Sequence, residues 1–246
     1  MRRALIVGGA NGIGLSIATS LAKREEFEKI YIVDKTVIDN ENCNLKFEYH
    51  QFDLTNNDYS LFDRFDDIDT LMITAGFGKL ALFKEINEKH IIDSMNVNAT
   101  AVMRLIHHFY GKIMSNTDFY CGVMVSIAGF MSSPFFSVYG ASKAALKIFI
   151  ESVNIELEKE GTSNRILNVS PGAIKGTSFN HGKTDLEQTA TLARDIIKNL
   201  EKKNDLFIPQ YDEIYKNVLA RYQQDFRQEG RHSYEYKLTR YTKQEQ

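Results

Sequence analysis

The sequence predicts an α/β fold: a doubly wound, mainly parallel sheet of about seven strands, with a helical segment added at the C-terminal end. Three observations carry this expectation. Short apolar runs alternate with longer stretches of helical period, the pattern that buries a parallel sheet between two layers of helices. The first run, Ala4-Leu5-Ile6-Val7, feeds a glycine-rich turn, Gly8-Gly9-Ala10-Asn11-Gly12-Ile13-Gly14. A length of 246 residues suits one large α/β domain and is short for two.

Strands are expected near 4–7, 30–34, 45–51, 70–74, 122–126, 165–170 and 206–208, and helices near 12–24, 57–65, 88–114, 140–159, 186–203 and 211–228. After the glycine turn, Leu15, Ile17, Ala18, Leu21 and Ala22 recur with helical spacing. The next strand, Ile30-Tyr31-Ile32-Val33, ends in Asp34. Only residues 35–44 separate it from Leu45-Lys46-Phe47, whereas a parallel crossover with its helix needs about a dozen or more, so that helix reads as vestigial. The helices near 88–114 and 140–159 carry apolar residues on more than one face: Ile91, Met95, Val102, Ile106 and Phe109 in one, Ala145, Ile148, Phe149, Val153 and Ile155 in the other. One face covers the sheet and the other seeks a partner; the family resemblance carried by the motifs below implies that this partner is a second copy, a homodimer, with a tetramer possible. Residues 1–210 form the main domain. Residues 211–246 change character, with Tyr211, Tyr215, Tyr222, Tyr234, Tyr236 and Tyr241 set among charges, and read as a helical appendage of the same domain with a frayed tail beyond it.

Composition narrows the classes. A formal net charge of −2 gives neither a nucleic-acid nor a membrane footprint, and Asp212, Glu213, Asp225, Glu229 and Glu235 dilute the basic residues of the tail. No apolar run approaches the roughly 18 residues of a membrane span. Met1-Arg2-Arg3-Ala4 leads straight into the first strand, unlike a signal peptide. Cys43 and Cys121 fit no metal or redox spacing and read as reduced thiols of a cytoplasmic protein. His107-His108 are adjacent on an expected helix and point apart, so no metal pair is expected.

The glycine turn sits between a strand and a helix, where a dinucleotide fingerprint belongs. Gly8 suits the tight turn, Gly12 lets backbone approach a pyrophosphate, and Gly14 lets helix and strand pack closely. Asn11, Gly12 and Ile13 open the helix, whose free N–H groups favour phosphate. Asp34, twenty positions past Gly14, can accept from both hydroxyls of an adenosine ribose and would repel a 2′-phosphate. It therefore argues for NAD over NADP, with the neighbouring Lys35 as the counter-argument. In Ser137-Val138-Tyr139-Gly140-Ala141-Ser142-Lys143, Tyr139 and Lys143 share one helix face a turn apart, where an ammonium can lower a phenol's pKa. The spacing alone says little, since Tyr31 and Lys35 repeat it.

Together these features resemble the short-chain dehydrogenase/reductase family in its compact, single-domain Rossmann-type form, from about Ala4 to Thr177. Asn98, in Asn96-Val97-Asn98, matches the family's asparagine. Ser126 precedes Tyr139 by thirteen residues, the family's usual separation for its serine. Asp53-Leu54-Thr55 matches an adenine-side element, Ala75 and Gly76 stand after the fourth strand, and Pro171-Gly172 with Ile174 matches the loop over the nicotinamide. The resemblance implies a catalytic set of Asn98, Ser126, Tyr139 and Lys143 acting on a small alcohol or carbonyl substrate. It further implies that Lys143 holds the nicotinamide ribose and Asn98 anchors a proton-relay water.

Departures accompany the matches. Val7 stands where the family has threonine, Thr177 falls one place late after Pro171-Gly172, and the C-terminal strand-and-glycine ending of many members is missing. Ile73-Thr74-Ala75-Gly76 replaces Asn-Asn-Ala-Gly, so the hydrogen bonds that steady the sheet must come from elsewhere. Phe130, Met131, Phe135 and Phe136 are candidates either for a substrate cleft or for core, and Phe179 and His181 occupy the usual place of a lid. Two other readings stay open: a non-catalytic dinucleotide-sensing protein on the same fold, and an NAD-using epimerase or dehydratase.

Overall fold

In the computed structural model, which describes residues 1–177, 179 and 184–244, β1 (Arg2–Val7) lies at the centre of the sheet. Its residues alternate between two cores, as the two-residue period of a strand requires. Leu5 and Val7 join the apolar cluster on one face, and Ala4 and Ile6 join the cluster on the other. Both faces are covered, so the run is continuously apolar rather than alternating with polar residues.

The chain continues through α1 (Gly12–Ala22), β2 (Phe27–Asp34), β3 (Phe47–Gln51) and β4 (Thr70–Ile73). It then forms α2 (Glu88–Met95), α3 (Ala101–His108), α4 (Tyr110–Ile113), β5 (Tyr120–Met124), α5 (Ser137–Lys159) and β6 (Ile166–Val169). The last elements are α6 (Leu186–Glu201), β7 (Leu206–Phe207), α7 (Lys216–Gln224) and α8 (Phe226–Gln244). The seven strands are ordered β3-β2-β1-β4-β5-β6-β7, and every pair is parallel. The order reverses between β1 and β4. In open α/β sheets ligands bind in the crevice outside the carboxyl ends of the strands at that reversal, which here is the glycine turn.

The expected seven-strand sheet is present, and the second crossover has no α-helix, as expected: residues 35–46 hold only a 3₁₀ turn at Asn40–Asn42. Three expectations need correction. The helix near 57–65 is a 3₁₀ segment, Ser60–Phe65. A period of three eclipses residues i and i+3, and that places both Phe62 and Phe65 in the core. The helix near 88–114 is interrupted by a π-turn at Asn96–Thr100 and again at Phe109. The π-turn's extra residue accompanies full burial of Asn98. The tail is not frayed after residue 228. A π-turn at Tyr211–Tyr215 leads into α7, and Asp225 then caps α8 by accepting from the N–H groups of Arg227 and Gln228 at 2.9 and 3.0 Å.

Candidate active site

The glycine turn is built by close approach. Gly8 lies at φ +86°, and a Cβ there would fall 2.4 Å from the Ala75 nitrogen. A Cβ on Gly14 would fall 2.1 Å from the Gly8 carbonyl oxygen and 2.4 Å from the Thr74 hydroxyl, so no side chain is tolerated where α1 meets β1 and β4. Thr74 supplies the bonds expected from elsewhere. Its backbone N–H donates to the Val7 carbonyl at 2.7 Å, and its hydroxyl donates to the Gly8 carbonyl at 2.9 Å. The replaced asparagine is thus compensated at its own position.

Other cofactor-side residues gather around this turn to different degrees. One carboxylate oxygen of Asp34 accepts from the Ala10 N–H at 3.0 Å, and the other accepts from the backbone and hydroxyl of Thr36, also at 3.0 Å. Asn11 stands at the head of α1, with its side-chain amide 3.4 Å from the Thr36 hydroxyl. Ile13 is buried in the α1-side core, with Ile174 packed against it. Asp53 accepts from the Thr55 backbone and hydroxyl, which hold its carboxyl below its usual range, with lesser help from Lys35 and Lys89. Leu54, beside it, belongs to the core.

The second cluster lies across β4 and β5. Lys143 is 2% exposed, and its ammonium donates to the Met124 carbonyl at 2.8 Å. It also borders Gly76, where a Cβ would fall 3.3 Å from Nζ and 3.2 Å from Asn98 Oδ1. Asn98 pairs with the backbone of Phe77 in both directions, at 2.8 and 2.9 Å, and donates to the Ser142 hydroxyl at 3.2 Å. Ser142 in turn donates to the Tyr139 carbonyl at 2.7 Å, so Asn98 braces the turn of α5 that carries Tyr139. Ser126 accepts from the Ala128 N–H at 3.1 Å, and Pro171 accepts from the Ile127 N–H at 3.0 Å, fastening the Pro171-Gly172 loop to the serine.

The electrostatics differ from the sequence expectation. Burial pushes the Tyr139 phenol up to about 12, and a hydrogen bond with Ser126 offsets only part of this. Burial also pushes Lys143 down to about 7. Lys143 Nζ lies 5.7 Å from the centroid of the Tyr139 ring, and for both groups the loss of water dominates.

Sequence reasoning missed Thr184 at Gly12 and Tyr215 at Gly172, because no local pattern announces such contacts, while other neighbours fall on residues it had named. The Gly12 N–H donates to the Thr184 hydroxyl at 2.8 Å across 172 residues of chain. Thr177 faces the same glycine, 3.7 Å from where its Cβ would lie. The Tyr215 hydroxyl fills the space beside Gly172, where a Cβ would fall 1.7 Å from it. Phe179 packs on Tyr139 at 5.2 Å and stacks with Phe136 at 6.2 Å, which places Phe136 and Phe179 in the cleft wall and leaves Phe135 buried in the core. Phe130 lies 5.1 Å below the Lys147 ammonium. His181 lies outside the described residues.

A parallel sheet with a glycine turn at its reversal and a serine, tyrosine and lysine converging beyond it defines a nucleotide-binding α/β oxidoreductase class. A family model described as short chain dehydrogenase matches residues 2–188, and the chain belongs to that family of oxidoreductases. Among curated relatives, Dehydrogenase RED2 of Cochliobolus heterostrophus is 30% identical over 169 residues, covering 66% of this chain and 63% of that one. This chain spans about three fifths of the length of curated relatives such as this. Among solved structures, an alcohol dehydrogenase from the archaeon Thermococcus sibiricus complexed with 5-hydroxy-NADP superposes with a TM-score of 0.71 at 22% identity, covering 85% of this chain and 95% of that one. A short-chain dehydrogenase/reductase from Burkholderia phymatum in complex with NAD superposes with a TM-score of 0.74 at 15% identity, covering 87% and 91%. No helix among the described residues is long and apolar enough to cross a membrane.

Proposed function

We propose that this chain is an NAD(P)-dependent dehydrogenase/reductase that interconverts an alcohol and a carbonyl compound, with Tyr139 as acid/base. The observation that carries this reading is the junction of Ser126, Tyr139 and Lys143 at the carboxyl ends of β4 and β5, beside the glycine turn. The residues fit a dinucleotide. The Gly12 amide at the head of α1 already holds an oxygen ligand, the Thr184 hydroxyl, as it would hold a phosphate oxygen. Gly8, Asn11, Gly12, Ile13 and Gly14 would form the phosphate cradle, Asp34 would take the ribose, Asp53 and Leu54 would border the adenine, and Ala75, Gly76, Pro171, Gly172 and Ile174 would line the nicotinamide side. The nicotinamide accepts or gives the hydride.

The chain's own residues do the rest. The Ser126 hydroxyl orients the substrate oxygen, and Tyr139 exchanges a proton with that oxygen. Lys143, once near an anionic or polar partner, regains its charge and lowers the phenol's pKa. Asn98 holds α5 in place and keeps the proton path to Lys143 open. A homodimer through the exposed Ile148 and Ile155 of α5 completes the reading, and light scattering that reports a monomer at micromolar concentration would remove that part. The chain is proposed to be cytoplasmic.

NAD is proposed over NADP because Asp34 is fixed at the glycine turn by its bond to Ala10, whereas the Lys35 side chain is exposed and acts on Asp53. Titration with NADH and NADPH tests both the binding and the ranking. NADH should bind more tightly, and Asp34→Ala should narrow the difference. Equal affinities, or an NADPH preference, would give the ranking to Lys35; binding of neither would remove the dehydrogenase reading.

A further inference from the structure

We propose that Lys237, on the C-terminal helix, determines specificity at the cleft, and that the substrate is an alcohol or carbonyl compound whose apolar body carries a carboxylate. The inference rests on the dehydrogenase reading and extends it to the substrate class.

The helix α8 is built into the cleft wall. Phe135 has φ 65°, a left-handed conformation that a bulky residue rarely adopts. Its ring lies 4.8 Å from Tyr234 and 5.0 Å from Tyr241, and its carbonyl accepts from the Ala81 N–H at 3.0 Å. With Phe135 held this way, the next residue, Phe136, turns toward the reacting centre. Its ring lies 5.9 Å from Tyr139 and stacks on Phe179. Three aromatic rings can therefore receive an apolar substrate body.

Lys237 lies between Tyr234 and Tyr241 in sequence, at spacings of three and four, so it shares their face of α8. Its ammonium donates to the Ser133 hydroxyl at 2.6 Å and sits 5.7 Å from the Phe136 centroid, one ring away from Tyr139. Among the described residues it forms no ion pair. The Tyr241 hydroxyl, on the same face of α8, donates to Glu85 at 2.8 Å and ties the helix to the turn at Phe83–Glu85. Burial and the neighbouring Arg240 push the amine down to about 8, as for a cation without a counter-charge. An anionic group entering the cleft would supply it. One monovalent cation with one hydroxyl beside it matches a single carboxylate charge, whereas a phosphate dianion calls for more donors or an arginine fork.

The test uses the full chain and two probe pairs. In direct titration, benzoate should bind about tenfold or more tightly than benzamide, the strength of a charge-assisted hydrogen bond. Lys237→Met should remove that difference and Lys237→Arg should keep it, while Arg231→Gln, on the same helix, should leave it unchanged. Ser133→Ala should also keep it, because the amine loses only its internal partner. In turnover with NADH or NADPH, 4-acetylbenzoate should be preferred over its methyl ester by a similar factor in kcat/KM. Benzoate binding no tighter than benzamide, including no binding of either, overturns the proposal. So does an equal loss for both probes in Lys237→Met, which would mark the lysine as an anchor of α8 only. If benzoate binds in a Lys237-dependent way but 4-acetylbenzoate is not reduced, the catalytic reading has failed and anion recognition stands.

Discussion

The spacing Tyr-x-x-x-Lys occurs twice in this chain, and the two copies meet different fates. Tyr139 and Lys143 lie on α5, where four residues make about one turn and bring both side chains into the same enclosed space. Tyr31 and Lys35 begin in β2, where four residues span roughly 13 Å and the two side chains cannot meet. Tyr31 packs on Phe65 at 5.0 Å and donates to Asp67 at 3.3 Å, and Lys35 is exposed at the strand's end. The same spacing therefore becomes an enclosed pair on a helix in one place and part of an interior strand and its end in the other. What separates them is the secondary structure beneath and the company brought by other strands: Ser126 from β5, Asn98 from the π-turn, and Met124's carbonyl.

The comparison breaks most visibly on removal of one hydroxyl. Tyr139→Phe should lower turnover by about 10²–10⁴-fold, the range for losing a general acid/base, with cofactor affinity and melting temperature near wild type. Single-turnover hydride transfer reads the chemical step apart from product release. Wild-type turnover in Tyr139→Phe would mean that another group exchanges the proton, whereas cofactor binding without turnover of any alcohol or carbonyl compound in the unmodified chain would make the dinucleotide-sensing reading the better account.

Lys143 sharpens the contrast through pH. The unfolded chain keeps this amine protonated up to its ordinary 10.5, whereas the folded protein releases the proton near 7. Between these values the unfolded state binds more protons, so this group makes stability rise with pH, by at most about 1.4 kcal/mol per pH unit. Lys237 adds a share above about 8. The buried Cys121 thiol, whose pKa is raised, acts oppositely once pH passes its ordinary 9.0. The window in which Lys143 acts without Lys237 or Cys121 is therefore pH 7 to 8. Urea unfolding of the cofactor-free protein should show stability rising there, and Lys143→Met should flatten the rise. An unchanged slope in the variant would mean that the amine keeps its charge when buried.

How much of this was legible in advance follows the range of the interactions. The glycine turn, the parallel seven-stranded sheet behind it and the Asn98-Ser126-Tyr139-Lys143 set proposed as catalytic are carried by short motifs and periodicities that survive in the sequence. The vestigial crossover followed from a count of residues. What was not legible depends on contacts between distant segments. Thr184 reaching Gly12, Tyr215 filling the space at Gly172 and Lys237 reaching Ser133 join residues 172, 43 and 104 positions apart. The α8 helix itself was hidden because its sequence is polar all round, and its order comes from an Asp225 cap and two tyrosines that grip Phe135. The direction of the Tyr139 shift was missed because spacing shows which groups are near one another but not how much water they lose.

The smallest expected effect is the control that makes the comparison decisive. Tyr31→Phe removes a hydroxyl from a residue of the same type, in the same spacing, with a lysine four positions on. Its only described hydrogen bond is the exposed one to Asp67, and its ring contacts with Phe65 and His50 survive the change. An exposed hydrogen bond to a charged group is worth little net, so the stability loss should be about 0.5 kcal/mol or less. Turnover should be unchanged, since β2 places this phenol beside Phe65 and Asp67 rather than beside Ser126. Chemical denaturation and the single-turnover assay measure the two quantities on one preparation. A turnover loss in Tyr31→Phe comparable with that in Tyr139→Phe would show that any tyrosine hydroxyl lost from this protein disturbs it equally, and the case for Tyr139 as the proton donor would fall with it.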